Sequence, residues 1–185
     1  MIETVRLILR PWREADRAPY AAMMADPEVG YWLGGALSEA QANTQIDRFM
    51  ADSASRGPGF LAVERREDGA FLGAACLREV AADHPLAGEV EIGWRLARSA
   101  WGAGYATEAA LALLDHGFRR LGFPEIVAFT AVSNARSQAV MERLAFERQP
   151  HRDFEHPALE PGHPLRRHVV YAMTADGSGA GAAIG

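Results

Sequence analysis

The chain has no lysine; all 19 of its basic side chains are arginine. That absence removes a nucleoside-triphosphate loop of the Gly-x-x-x-x-Gly-Lys-Ser/Thr kind, because no lysine can reach the phosphates. Cysteine is almost missing too. The single Cys76 excludes an internal disulfide framework and suits a reducing compartment, so a cytoplasmic location is expected. Cys76 sits in Gly73-Ala74-Ala75-Cys76-Leu77 and reads as a small core residue rather than a nucleophile. No apolar run approaches the roughly 20 residues of a membrane span, and residues 1 to 20 carry charges throughout, against a secretory signal. Positive charge is in deficit, with a net charge of −5 and a pI of about 5.7. This argues against nucleic acid as the main partner and slightly favours cationic acceptors such as amines.

What is present suits one globular unit. With 185 residues, a single domain over 1–175 is the default, followed by a Gly/Ala/Ser-rich flexible tail at 176–185. Thr4 to Leu9 alternates as a strand with Val5, Leu7 and Leu9 on one face. A helix is expected from about Glu14 to Met24, stopped by Asp26-Pro27, with a loop at Tyr31-Trp32-Leu33-Gly34-Gly35. Ser38 and Gln41 form a capping box that opens a helix to about Ser53. Arg56-Gly57-Pro58-Gly59 is a turn. Strands at 60–65 and 70–79 join through Asp68-Gly69 as a hairpin. Further strands are expected at 89–96 and 126–132, with a helix at 134–144 after the second. Closing strands at 146–154 and 168–173 flank a loop rich in proline and histidine. His151, His156, His163 and His168 match no common zinc spacing and have no cysteine partners, so no metal is expected.

The most informative stretch is Trp101-Gly102-Ala103-Gly104-Tyr105-Ala106-Thr107-Glu108. It joins the strand Glu89 to Leu96 to a helical pattern that runs to Leu121, with Thr107, Leu111, Leu114, Phe118 and Leu121 at apolar spacing. Two glycines let the backbone take positive φ, and the free N–H groups of the following helix make the turn an anion site. A dinucleotide fingerprint would need a third glycine where Thr107 stands and an acidic residue at the far end of the next strand. Glu125 lies at the wrong end. A phosphorylated cofactor of another kind is implied.

Three blocks in register resemble the GNAT N-acetyltransferase superfamily, and within it the branch of ribosomal-protein-alanine N-acetyltransferases. They are Glu91-Ile92-Gly93-Trp94; the loop 101–109; and Asn134-Ala135-Arg136-Ser137 with Met141-Glu142-Arg143-Leu144-Ala145-Phe146. The resemblance covers about residues 3 to 173. It implies an α/β fold, with a central mixed and largely antiparallel sheet whose one parallel strand pair is splayed. It also implies acetyl-CoA as co-substrate and a primary amine as acceptor, on a small molecule or a protein N-terminus. A homodimer is compatible with this branch.

The same resemblance assigns roles. The amides of Trp101, Gly102, Ala103, Gly104, Tyr105, Ala106 and Thr107 hold the pyrophosphate, and Trp94 and Leu96 offer backbone to the pantetheine arm. Asn134 contacts that arm or a water. Glu91 is the candidate base, acting through water, and Ser137 the candidate acid. Three departures stand out. Ser99 replaces the usual Gln or Arg that opens the loop, leaving Arg98 or Arg95 to supply charge; Met141 replaces a tyrosine; and Ala145 replaces a glycine. Glu108 reads as a structural residue answering the helix dipole. Trp12, Trp32, Trp94 and Trp101 read as core or pocket wall. The alternative function is a non-catalytic acyl-CoA-binding sensor.

Overall fold

The computed structural model describes residues 1–51 and 58–175. Antiparallel pairing links β1 (Ile2–Glu3), β2 (Leu7–Arg10), β3 (Gly59–Arg65), β4 (Phe71–Glu79) and β5 (Val90–Leu96) in chain order. Then β6 (Glu125–Ala131) joins β5 in parallel. The short strands β7 (Glu147–Arg148) and β8 (Phe154–Glu155) both pair with β9 (Arg167–Thr174), which itself runs antiparallel to β6. The mixed, largely antiparallel sheet expected from the sequence is therefore present. Its one parallel seam is thin: β5 and β6 share a single paired position, Glu91 with Val127. Toward their C-terminal ends the two strands part.

Helices cover both faces. α1 (Arg17–Ala25), α2 (Pro27–Tyr31) and α3 (Glu39–Ala51) lie on one side, where Tyr20, Met24 and Ile46 pack on Ala62 and Ala74. Alanine at those strand positions lets the helices approach closely. On the other side α4 (Tyr105–Asp115) and α5 (Ala135–Arg143) close the larger core, with Leu113 and Met141 against Leu77, Ile92 and Ile126. The α1 side also holds a buried ion network. Arg10 makes two bonds to Asp16, at 2.7 and 2.9 Å, and one to Glu64 at 2.6 Å. The Asp16 bonds raise Arg10 above its ordinary pKa; burial alone would raise Asp16, but Arg10 holds it below the usual carboxylate range.

The structure corrects several local expectations. Val5 is not on a strand face but 89% exposed, because Thr4 folds the chain back through a bond from the Leu7 N–H to its hydroxyl, at 2.9 Å. The buried stripe of α4 is Ala109, Ala110, Leu113 and Leu114, while Leu111 and Leu121 are each 41% exposed. Two small alanines share that face with Leu113 and the expected Leu114, so the stripe meeting the sheet is rotated away from Leu111. The last turn, His116–Arg120, widens into a π-helix. There Gly117 is buried, and a Cβ on it would lie 2.7 Å from the Ile126 side chain. Between the Asp26-Pro27 stop and the loop that begins at Tyr31, the chain forms α2, where no element is expected from the sequence; Asp26 accepts from the Glu28 N–H at 2.9 Å, with Pro27 in the first turn. The expected strand 146–154 breaks into β7, a 3-10 turn at Pro150–Arg152 and β8, since proline cannot donate to a ladder. The Ser38–Gln41 box forms as read. The end of the helix near Ser53, the start of the turn at Arg56 and the tail 176–185 lie outside the described residues.

Candidate active site

Where β5 and β6 part, the segment after β5 turns into α4. Gly102 and Gly104 have φ of 76° and 80°, values that favour glycine, and Gly104 is the residue that starts the helix. A Cβ at Gly102 would meet nothing within 4 Å, so the turn faces open space. Glu108 is the first residue of α4 whose N–H reaches back to a carbonyl of the turn, that of Gly104 at 3.0 Å. The N–H groups ahead of it are the helix's free donors, which together with the dipole favour an anion. Trp101 departs from the expected set. Its N–H is taken by the Arg98 carbonyl at 3.1 Å, and its indole donates to the Leu96 carbonyl at 2.9 Å. It closes the wall of the turn rather than lining it with an amide.

The charge at this turn comes from residues the sequence did not nominate. Arg95 points to the opposite face of the sheet, and Arg98 is paired with Glu28 and Asp26. Arg6 arrives instead from the β1–β2 turn: its Nη1 donates to the Ala103 carbonyl at 3.0 Å, and its guanidinium lies 4.7 Å from the centre of the Tyr105 ring. Arg136 stacks over Trp101 at 4.7 Å, and Arg143 donates to the Thr107 hydroxyl at 3.2 Å. Glu108 is confirmed as structural. Its carboxylate accepts from the Thr4 hydroxyl at 2.6 Å, the Arg6 N–H at 2.8 Å and Arg6 Nε at 2.6 Å. No local motif could have revealed a contact across 102 residues of chain.

A cleft of about 550 Å³ opens beside this turn, between Pro27, Tyr31 and Trp32 on one side and Trp101, Ser133 and Arg136 on the other. It sits at the C-terminal ends of the parted strands, the usual place for ligands in such sheets. Asn134 caps α5: its Oδ1 accepts from the Ser137 N–H at 3.2 Å and its Nδ2 donates to Thr130 at 3.0 Å. One acceptor site and one N–H of that amide remain for a ligand. The cap is Asn134, which leaves the Ser137 hydroxyl out of that role. One turn on, Met141 is 2% exposed and cannot donate a proton.

Glu91, at the closed end of the seam, is not on a solvent face. It is 8% exposed, and Arg78 Nη2 lies 2.6 Å from its Oε1. Burial pushes its carboxyl above the ordinary value, and Arg78 offsets only part of that. Across β6 the same face carries an aromatic cluster that sequence spacing could not assemble. The rings of His84 and Phe129 stack at 5.0 Å, and those of Phe154 and His168 at 5.3 Å, with His156 4.9 Å from His168. Burial holds all three imidazoles below their ordinary pKa. Among the described residues, no cluster of three His, Cys, Asp or Glu side chains is placed to hold a metal ion. No helix among them is long and apolar enough to cross a membrane.

Compared with known proteins, residues 6–147 match the family model described as an acetyltransferase (GNAT) domain. The chain belongs to the GNAT acetyltransferase family. It is 27% identical over 145 residues to YdaF of Bacillus subtilis, provisionally named a ribosomal N-acetyltransferase, covering 77% of this chain and 76% of that one. A GNAT acetyltransferase structure from Bacillus anthracis superposes with a TM-score of 0.78 at 22% identity, covering 94% of this chain and 98% of the other. The Vibrio cholerae spermidine N-acetyltransferase, solved with CoA and spermine, superposes at 0.72 with 17% identity, over 94% and 98%. The GNAT assignment makes this chain an enzyme of acetyl-CoA-dependent acetyl transfer. The free amides of the α4 turn and the parted strands are chemically suited to that donor's diphosphate and pantetheine arm.

Proposed function

We propose that the protein moves an acetyl group from acetyl-CoA to a primary amine by direct attack within a ternary complex. The observation that carries this reading is the geometry of the seam. At its open end lies an amide-lined turn suited to a diphosphate; at its closed end lies a buried carboxylate on the face opposite α4. In this arrangement Gly102 to Thr107 hold the diphosphate. The strand edge of Trp94 and Leu96 guides the pantetheine arm, and Asn134 contacts it from α5. The amine approaches from the other face. Glu91 takes its proton through water, a role served by a carboxylate whose pKa is already raised by burial. Backbone N–H groups at the seam stabilise the oxyanion, and Ser137 stands as the proton donor to the departing thiolate. An acetyl-enzyme intermediate on the cysteine is disfavoured, because Cys76 is 2% exposed and burial pushes its thiol up to about 12.

The test is a turnover assay of acetyl-CoA against a panel of amines, reading free thiol and acetylated product. Amine-dependent thiol release supports transfer. Binding of acetyl-CoA with no turnover on any amine would leave a sensor instead.

A further inference from the structure

We propose that the acceptor amine carries an anionic group, a carboxylate or phosphate ester, which Arg95 grips while the amine lies toward Glu91. This rests on the transfer reading above and names the class of its substrate. The face of β5 turned away from α4 presents Glu91, Gly93 and Arg95 in a line, spaced by the two-residue period of a strand. Gly93 adds no side chain between the two charged ones; a Cβ there would lie 3.1 Å from the Cys76 sulfur.

Arg95 is half-buried, yet its hydrogen-bond partners are neutral. Its Nη1 donates to the Tyr20 hydroxyl at 3.1 Å and to the Gln45 side-chain carbonyl at 3.4 Å. Its guanidinium lies 4.6 Å from the Phe60 ring centre and 5.7 Å from that of Phe49. Among the described residues no carboxylate forms an ion pair with it. Arg78 has Glu91, and Arg98 has Glu28. A cation removed from water without a counter-ion is costly unless a ligand supplies one. Both bonds fall on Nη1, so among the described residues the Nε–Nη2 edge of the fork has no partner, and that edge matches two oxygens of a carboxylate or phosphate. Arg78 takes the direct ion pair with Glu91 and Arg95 acts on that carboxylate only at longer range, so among the described residues this face of β5 sets two arginines against one carboxylate despite the acidic chain as a whole. The overall charge of −5 therefore misleads about this patch.

The experiment compares matched acceptors that differ only in charge: ω-amino acids against their amides, and short peptides with Glu against Gln at the second position. The wild-type enzyme is expected to favour the anionic member of at least one pair. Preference in the first pair points to a small amino acid as the source of the anion, and preference in the second alone to a protein N-terminus. In Arg95→Gln that preference should shrink by about 10- to 100-fold in kcat/KM, the scale of a hydrogen bond to a charged group. Arg95→Lys should restore part of it. Calorimetry with acetyl-CoA serves as the folding control for each variant. Equal use of charged and neutral partners by the wild type, or a preference that survives Arg95→Gln, overturns the proposal. If acetyl-CoA binds but no amine of either charge is acetylated, the transfer reading itself fails, and this one falls with it.

Discussion

Ala145 holds a φ of 62°, the only positive value outside glycine among the described residues. It ends α5 in a left-handed turn: its N–H bonds to the Glu142 carbonyl at 2.9 Å, and the Phe146 N–H to that of Met141 at 3.0 Å. Alanine is strained there and glycine is not. Ala145→Gly is therefore expected to stabilise the protein by about 0.5–1 kcal/mol, after the extra freedom of glycine in the unfolded chain is counted. Thermal melts should show a rise of roughly 1–4 °C for a chain of this size; an unchanged or lower midpoint contradicts the strain argument. Glu91 supports a second prediction at this scale. Its raised pKa places the acid limb of the kcat/KM profile above the usual carboxylate value of 4.5. Glu91→Gln should lower kcat at neutral pH by about 10²- to 10⁴-fold and flatten that limb, with acetyl-CoA affinity little changed. Full activity in the variant clears Glu91 of the base role. Both residues stood out in the sequence, Glu91 through its block and Ala145 as a departure from glycine. Their surroundings did not, because Arg78 and the left-handed turn are properties of the fold.

At the scale of elements, the turn into α4 was the most legible part of the chain. Glycine pairs and a following helical pattern report directly on backbone geometry, and the capping box at Ser38 was readable for the same reason. The buried face of α4 is legible only in part: Leu114 lies on it as its spacing suggests, but the sheet takes the small Ala109 and Ala110 where periodicity points to the larger Leu111. Likewise α2 was missed, since five residues are too few to show a helical period. The turn itself can be tested. Gly104→Val places a β-branched residue at a φ of 80° with its Cβ 3.5 Å from Arg6 Nη2. The turn must distort, and calorimetry should show acetyl-CoA binding weakened by about 10- to 100-fold, the scale of one to three kcal/mol of backbone strain. Circular dichroism should meanwhile report an intact fold. Affinity equal to wild type would remove the turn from the diphosphate site.

Across the whole molecule, what the sequence could not supply was pairing between distant segments. Glu108 meets Arg6 and Thr4, and His84 meets Phe129 and His156. The histidine cluster makes stability depend on pH. His84, His156 and His168 are held below the ordinary value of 6.5 by burial, with repulsion among the rings adding to it at His84 and His168. As pH falls through 6.5, the unfolded chain takes up protons that the folded chain refuses, so stability present above that value is lost. Melting temperature should therefore drop between pH 7.5 and about 5.5, before the paired carboxylates begin to titrate. Glu91 acts with the opposite sign, since its raised pKa lets the folded state accept a proton first. A flat melting profile across this window would refute the assignment to the histidines.

The single rung joining β5 to β6 has a mechanical corollary. Five strands on one flank and four on the other are held together there by helices and side chains far more than by backbone bonds. A donor molecule lying along the gap would act as a splint, adding backbone contacts between two panels whose ladders share that one rung.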